Sequence, residues 1–113
     1  TAYEIPLRLV GSEMCIRDRY YVGGNYNWHC DYGEAPVRGS VRKLSMSVHL
    51  TDPKEYEGGN FEFDSDIPKP TESKLRQRGT VIVFPSYIKH RAAPVTKGRR
   101  ESLAAWIEGP GFV

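Results

Sequence analysis

Two histidines and one aspartate have the residue types and the spacing of a metal site. In the stretch YNWHCDYG (residues 26–33), His29 and Asp31 are two positions apart, so in a strand they point to one face and Cys30 to the other. His90 follows the apolar run TVIVF and could complete the set. Two imidazoles and one carboxylate suit Fe(II) and leave coordination positions open. The pattern H-x-D alone is a weak signal, and a surface strand with accidental spacing is the alternative.

A second polar group near the C-terminus could hold an anion. In strand alternation Arg100, Ser102 and Trp106 share one face. Arg100 follows His90 across a tight hairpin turn predicted at Lys97-Gly98. An arginine can hold a carboxylate through two parallel hydrogen bonds, which lysine cannot reproduce. A metal with open positions beside such an arginine implies a dicarboxylate co-substrate that chelates the metal at one end.

The elements that must position these residues are short strands separated by glycine and proline. Lys43–Thr51 alternates clearly, with Leu44, Met46 and Val48 on one face and Ser45, Ser47 and His49 on the other. Residues 32–40 and 65–79 are predicted to be loops, the second one exposed. Many short strands indicate a single all-β domain, a sandwich or barrel. The predicted strands are Tyr20–Val22, Tyr26–Asp31, Lys43–Thr51, Asn60–Asp64, Thr80–Phe84 (a buried strand), His90–Val95 and Arg99–Ile107.

The composition excludes several classes of protein. The chain has 113 residues, of which 39% are hydrophobic, and this suits one globular domain rather than a disordered chain. The formal net charge of +2 does not indicate nucleic acid as a partner. No apolar run is long enough to span a membrane, and the start TAYEIPLRLV does not resemble a signal peptide. We therefore expect a cytoplasmic protein without a membrane partner.

The N-terminal segment is of doubtful origin. The string GSEMCIRDR, at Gly11–Arg19, resembles the translation of a transposon adapter used to prepare sequencing libraries. It shows no clear helical or strand periodicity. On this interpretation residues 1–19 are not native to the domain, which spans residues 20–113. A genuine loop is the alternative.

Three segments together resemble one known family. They are YVGGNYNWHCDYG (21–33), RKLSMSVHLTDPKEYEGGNFEF (42–63) and GTVIVFPSYIKHRAAPVTKGRRESLAAWIEGP (79–110). In this order they are similar to the Fe(II)- and 2-oxoglutarate-dependent dioxygenase superfamily, and most similar to its prolyl-4-hydroxylase-like branch. The resemblance implies a double-stranded β-helix, which is a jelly-roll or cupin-like barrel. It also implies that the elements which precede Tyr20 in the family and support the barrel are missing or replaced here.

The resemblance implies a role for each matching residue. His29, Asp31 and His90 would bind Fe(II) and form the catalytic centre. Arg100 would pair with the distal carboxylate of 2-oxoglutarate, and Tyr20 and Ser102 would add hydroxyl groups at that end. These three residues are the expected cofactor-binding set.

The implied reaction is hydroxylation of a C–H bond of a peptidyl prolyl or other amino-acid-like substrate. O2 and 2-oxoglutarate would be consumed, succinate and CO2 released, and ascorbate would serve as a reductant. Two alternatives stay open: an oxidative demethylase of nucleic-acid bases, and a non-catalytic jelly-roll binding module. The loops that set the substrate do not reveal it from their composition.

Overall fold

Most strands of the fold are short, as the sequence predicts, but Ser40–His49 and Arg100–Pro110 are long, with 10 and 11 residues. The computed structural model describes residues 15–32, 39–64, 66 and 68–110. The sequence predictions for residues 1–14 and for most of the loop 32–40 lie outside these described residues. The described strands are β1 (Cys15–Tyr20), β2 (Tyr26–His29), β3 (Ser40–His49), β4 (Tyr56–Gly58), β5 (Phe61–Phe63), β6 (Val81–Pro85), β7 (His90–Ala92), β8 (Val95–Gly98) and β9 (Arg100–Pro110).

The strands form one large sheet and two smaller ones. The large sheet has the order β1-β9-β3-β6, the second has the order β2-β7-β5, and β4 pairs with β8. Every pairing is antiparallel. A cavity lies between the large sheet and the β2-β7-β5 sheet and is lined from both sides. This arrangement confirms the predicted all-β jelly-roll fold.

The alternation in β3 divides the strand as predicted, but the polar face is the buried one. Ser45, Ser47 and His49 are between 2% and 8% exposed, whereas Leu44 on the opposite face is 39% exposed. Serine and histidine carry polar groups that are costly to bury without partners. A polar face turned inward therefore indicates that this part of the interior holds a site.

A hydrophobic core cluster forms around Ile82 and Phe84 of β6. Leu75, Ile82 and Phe84 are buried together, and three more side chains pack against them: Phe61, Phe63 and Ile88. Leu75 belongs to a short helix, α1 (Glu72–Leu75), inside the region predicted as an exposed loop. That prediction was wrong for Leu75, because its apolar side chain closes the core.

The run TVIVF forms a strand that is buried on one face only. Ile82 and Phe84 in β6 point into the core, while Val81 and Val83 are about half exposed. The expectation of a fully buried strand was wrong, because only the face of β6 that carries Ile82 and Phe84 packs against the core, while Val81 and Val83 lie on the outer face.

Two further predictions about the strands were wrong. The predicted strand Tyr20–Val22 ends at Tyr20, and the strand β1 extends back to Cys15, into the stretch for which no periodicity was seen. Residues 15–20 pair along β9 from Ala105 to Arg100, so the pairing partner decides their conformation. The predicted hairpin at Lys97-Gly98 does not form, because β8 pairs with β4 while β9 pairs with β1 and β3. The domain boundary at residue 20 stays a prediction, and β1 crosses it.

Within the part of the chain that the structure describes, no helix is long and apolar enough to cross a membrane.

Candidate active site

His29, Asp31 and His90 come together at one point of the cavity. Their ligand atoms all lie within 4.8 Å of one another. The Nε2 of His29 is 3.2 Å from Oδ1 of Asp31, and the Nε2 of His90 is 3.5 Å from Oδ2. Asp31 and His90 are buried, and His29 is half-buried. The convergence predicted from the sequence is therefore present, although β2 ends at His29 and Asp31 follows the strand.

Both histidine rings are fixed so that Nε2 faces the centre. The Nδ1 of His29 lies 2.6 Å from the carbonyl oxygen of Asn27, and the Nδ1 of His90 lies 2.9 Å from that of Ile88. An Nδ1–H that donates to a carbonyl leaves the Nε2 lone pair for a metal. Burial lowers the pKa of His90, which favours this neutral form. The donor set therefore fits a divalent cation such as Fe(II).

The carboxylate of Asp31 is held by side chains from two strands of the large sheet. The Ser45 hydroxyl donates to Oδ2 at 2.6 Å, and the Trp106 indole N–H donates to the same oxygen at 2.9 Å. Ser45 also shares a hydrogen bond with the Ser86 hydroxyl at 2.9 Å. Partners of this kind orient a metal-ligating carboxylate. The sequence placed Trp106 on the face of Arg100 but did not reveal this contact.

Backbone hydrogen bonds fix the position of the chain at Asp31, directly after β2. The amides of Asp31 and Tyr32 both donate to the carbonyl of Ser86, at 2.9 and 3.0 Å. The amide of Ser86 in turn donates to the carbonyl of Lys43. These bonds tie the turn after β6 to the end of β2. They position the carboxylate without a continuous strand from Tyr26 to Asp31.

Arg100 lies in the same cavity and is almost completely buried. It is 1% exposed, and its Nε has no hydrogen-bond partner among the described residues. The guanidinium lies 5.2 Å from the centre of the Tyr20 ring. Burial lowers the pKa of Arg100, while the nearby Tyr56 and Tyr20 raise it. A buried guanidinium with an unsatisfied N–H fits an anion, because leaving such a group unpaired is costly.

The neighbouring arginine has a different environment. The side chain of Arg99 is 56% exposed, and its Nε lies 3.4 Å from a carboxylate oxygen of Glu101. Arg100, and not the adjacent Arg99, is therefore the arginine that lines the cavity.

The cavity has a volume of about 260 Å³, and both the histidine–aspartate–histidine set and Arg100 line it. Tyr20 and Ser102, the other two predicted cofactor-binding residues, also line it. Its walls contain Phe61 and Phe84, whose rings lie 5.5 and 4.7 Å from that of His90. The structure thus brings all six predicted site residues to one cavity, which is lined both by the donor set and by the guanidinium of Arg100. This shape suits a small dicarboxylate that also binds a metal.

Sequence reasoning missed several residues around the site. Ser45 and Ser86 support Asp31, and Gly59 leaves room for Arg100. Asp18 lines the cavity although it belongs to the stretch set aside as doubtful. The inward polar face of β3 was the available signal for Ser45. No sequence signal was available for Ser86 or Asp18.

Comparison with known proteins agrees with this site. A sequence model of the 2OG-Fe(II) oxygenase superfamily matches residues 17–108. A PKHD-type hydroxylase of Acidovorax ebreus is 34% identical over 95 residues, which cover 80% of this chain and 41% of that protein. A PKHD-type hydroxylase of Synechococcus sp. is 39% identical over 85 residues, 75% of this chain and 37% of that protein. The chain thus spans about two fifths of the length of these curated relatives.

Solved structures share the fold at lower sequence identity. A prolyl-4-hydroxylase of Pseudomonas putida superposes with a TM-score of 0.66 at 22% identity, covering 87% of this chain and 53% of that one. The viral collagen prolyl hydroxylase of Paramecium Bursaria Chlorella virus-1 gives a TM-score of 0.62 at 19% identity, covering 97% and 68%. Since the family match extends over most of the described strands and includes the whole histidine–aspartate–histidine centre, this chain belongs to the 2OG-Fe(II) oxygenase superfamily.

Proposed function

We propose that the chain forms the catalytic core of a 2-oxoglutarate-dependent oxygenase that hydroxylates a C–H bond. The observation that carries the proposal is the joint placement of the three ligand residues and the buried Arg100 on one cavity. Family membership implies Fe(II), 2-oxoglutarate and O2. The activity is a proposal for this chain because it spans about two fifths of its relatives.

In this proposal His29, Asp31 and His90 hold the iron. Ser45 and Trp106 keep the Asp31 carboxylate in place from behind. Arg100 binds the distal carboxylate of 2-oxoglutarate, which fixes the direction in which the 2-oxo acid end points. Tyr20 and Ser102 offer hydroxyl groups at that end.

The iron and 2-oxoglutarate, when bound, supply the oxidising chemistry: one atom of O2 enters the C–H bond, the other enters succinate, and CO2 leaves. The protein contributes orientation and exclusion of water. Phe61 and Phe84 pack beside His90 and limit water at the centre. Ascorbate as an external reductant completes the proposed set of cofactors.

For the substrate we propose a peptidyl prolyl or other amino-acid-like group. The support is that the similar proteins from Acidovorax ebreus and Synechococcus sp. are PKHD-type hydroxylases, and that the two similar solved structures are prolyl hydroxylases. A cytoplasmic setting stays a prediction from the sequence.

The first test is an anaerobic titration of the folded protein with Fe(II) and then 2-oxoglutarate. We expect a visible metal-to-ligand charge-transfer band. His90→Ala should abolish the band by removing a metal ligand, and Arg100→Ala should weaken 2-oxoglutarate binding. Arg99→Ala is the matched control, because that side chain is exposed, and it should behave like the wild type. No band from a protein shown to be folded by circular dichroism would contradict the assignment.

The second test concerns turnover. With Fe(II), 2-oxoglutarate, O2, ascorbate and a proline-rich peptide, we expect succinate and a peptide whose mass has increased by one oxygen atom. Succinate without a modified peptide would contradict the prolyl assignment. A charge-transfer band without any succinate would favour a binding module that holds the ligands without turnover.

A further inference from the structure

A carboxylate that the proposed function does not use lines the same cavity as Arg100. Asp18 lies in β1, next to β9 in the large sheet. The register places Asp18 opposite Ser102 and Tyr20 opposite Arg100. All four residues line the cavity. These two cross-strand pairs therefore form the part of the cavity wall that contains the guanidinium.

The alternation of β1 explains why Asp18 points inward. The guanidinium groups of Arg17 and Arg19 lie on the other face of the strand, where both pair with Glu101. Successive side chains of a strand point to opposite faces. Asp18 and Tyr20 consequently share the inner face, and Asp18 is half-buried there.

The charge of Asp18 acts within the cavity. Burial raises the pKa of Asp18, and Arg100 opposes that effect. The pKa of Tyr20 is raised first by burial and then by the charge of Asp18. The register and the shared cavity wall place the carboxylate, the phenol and the guanidinium near one another, and the directions of both pKa shifts agree with that placement. Any anion that enters here meets Asp18 as well as Arg100.

We propose that Asp18 is a specificity-determining residue, whose carboxylate weakens the binding of a dicarboxylate at Arg100. The inference rests on the proposed function, since it concerns the same 2-oxoglutarate site. Two like charges in a partly buried cavity repel each other enough to change an affinity by about tenfold. Asp18 lies in the stretch Gly11–Arg19 that resembles an adapter translation. Its replacement therefore also measures how this stretch affects the binding of 2-oxoglutarate.

The test compares 2-oxoglutarate affinity in the wild type, Asp18→Asn and Asp64→Asn, each loaded anaerobically with Fe(II) and followed by the charge-transfer band. Asp64 is exposed and pairs with Lys89 at 3.6 Å, so Asp64→Asn makes the same change in net charge away from the cavity. We expect Asp18→Asn to bind 2-oxoglutarate about tenfold more tightly. Asp64→Asn should match the wild type.

A second ligand distinguishes charge from packing. 2-Oxopentanoate has the same 2-oxo acid end but lacks the distal carboxylate, so Asp18→Asn should change its affinity little. Asp18→Thr, which is neutral and favours strands, should reproduce the gain for 2-oxoglutarate. An equal gain for both ligands, or no gain for 2-oxoglutarate in either variant, would overturn the inference. Absence of a band in every folded variant would instead overturn the proposed function and the inference with it.

Discussion

The indole Nε1 of Trp106 lies 2.9 Å from Oδ2 of Asp31, although the two residues are 75 positions apart in the chain. Ser45 donates to the same oxygen, so Oδ2 has two donors and Oδ1 is the carboxylate oxygen that faces His29. The contact joins the middle of β9 to the turn after β2. The large sheet, through Ser45 and Trp106, therefore orients the carboxylate of Asp31, although Asp31 does not belong to that sheet.

Removal of the indole donor should weaken metal binding. We expect Trp106→Phe to lower the affinity for Fe(II) by about tenfold or more, because partners of metal ligands typically contribute that much. Anaerobic metal titration measures the effect. Trp28→Phe is the matched control, since Trp28 packs against Arg91, 4.8 Å from its ring, and is not among the residues that line the cavity. Equal affinities in the two variants would show that the Trp106 hydrogen bond does not support the centre.

An added methyl group at Gly59 should disturb Arg100. A Cβ at residue 59 would lie 3.1 Å from Cδ of Arg100 and 2.9 Å from Cγ2 of Val95, and the φ angle of +65° already favours glycine. We expect Gly59→Ala to lower the free energy of unfolding by more than the strain of about 1 to 2 kcal/mol that a positive φ imposes. It should also weaken 2-oxoglutarate binding, because Arg100 must move.

The control for Gly59→Ala is Gly79→Ala. Gly79 has a φ of +84°, but a Cβ there would have no heavy atom within 4 Å from any described residue other than its two neighbours in the chain. Urea denaturation and 2-oxoglutarate titration of both variants separate backbone strain from crowding of Arg100. A Gly59→Ala variant that binds 2-oxoglutarate like Gly79→Ala would contradict the prediction.

His49 should make the protein less stable in weak acid. It is 3% exposed, and burial, Arg100 and Arg76 lower its pKa from 6.5 to about 4. Between pH 6.5 and 4 the imidazole of His49 is protonated in the unfolded chain but stays neutral in the folded chain. The free energy of unfolding therefore falls as the pH is lowered from 6.5 to 4, and it levels off below pH 4. The loss is on the order of 2 kcal/mol once solvent screening is allowed for.

His49→Phe removes this titration. Urea denaturation at several pH values should give a flatter curve between pH 6.5 and 4 for the variant than for the wild type. The pKa of His90 is also lowered, so its titration leaves some pH dependence of the free energy of unfolding in both proteins. Identical slopes in the two proteins would show that His49 does not contribute.

Leu75 should stabilise the core although it comes from a segment that looks like a loop. It is 5% exposed and packs with Ile82 and Phe84. We expect Leu75→Ala to lower the free energy of unfolding by about 2 to 4 kcal/mol, since truncation leaves a cavity. Leu44→Ala, at a residue that is 39% exposed, should cost about 1 kcal/mol or less. Similar losses in the two variants would contradict the assignment of Leu75 to the core.

The sequence alone predicted the centre because the identity of its ligands is local chemistry. His29 and Asp31 are two positions apart, a spacing that brings side chains to one face in a strand. The strand ends at His29, and the backbone hydrogen bonds to Ser86 then keep Asp31 beside it. The alternation of β3 and the identity of Arg100 were also readable, since period-2 patterns and residue types need no knowledge of partners. The family resemblance then predicted that the short strands form a jelly roll.

Only the tertiary structure decided which partners each strand meets. Lys97-Gly98 has the composition of a hairpin turn, yet β8 and β9 join different sheets, because pairing depends on distant strands rather than on the turn. Cys15–Tyr20 becomes a strand because β9 offers it a ladder of hydrogen bonds. The same pairing places Asp18 on the cavity wall to which Arg100 also belongs. The sequence thus determined which groups are available to bind a cation and an anion. Long-range pairing, which leaves no local trace in the chain, decided what surrounds them.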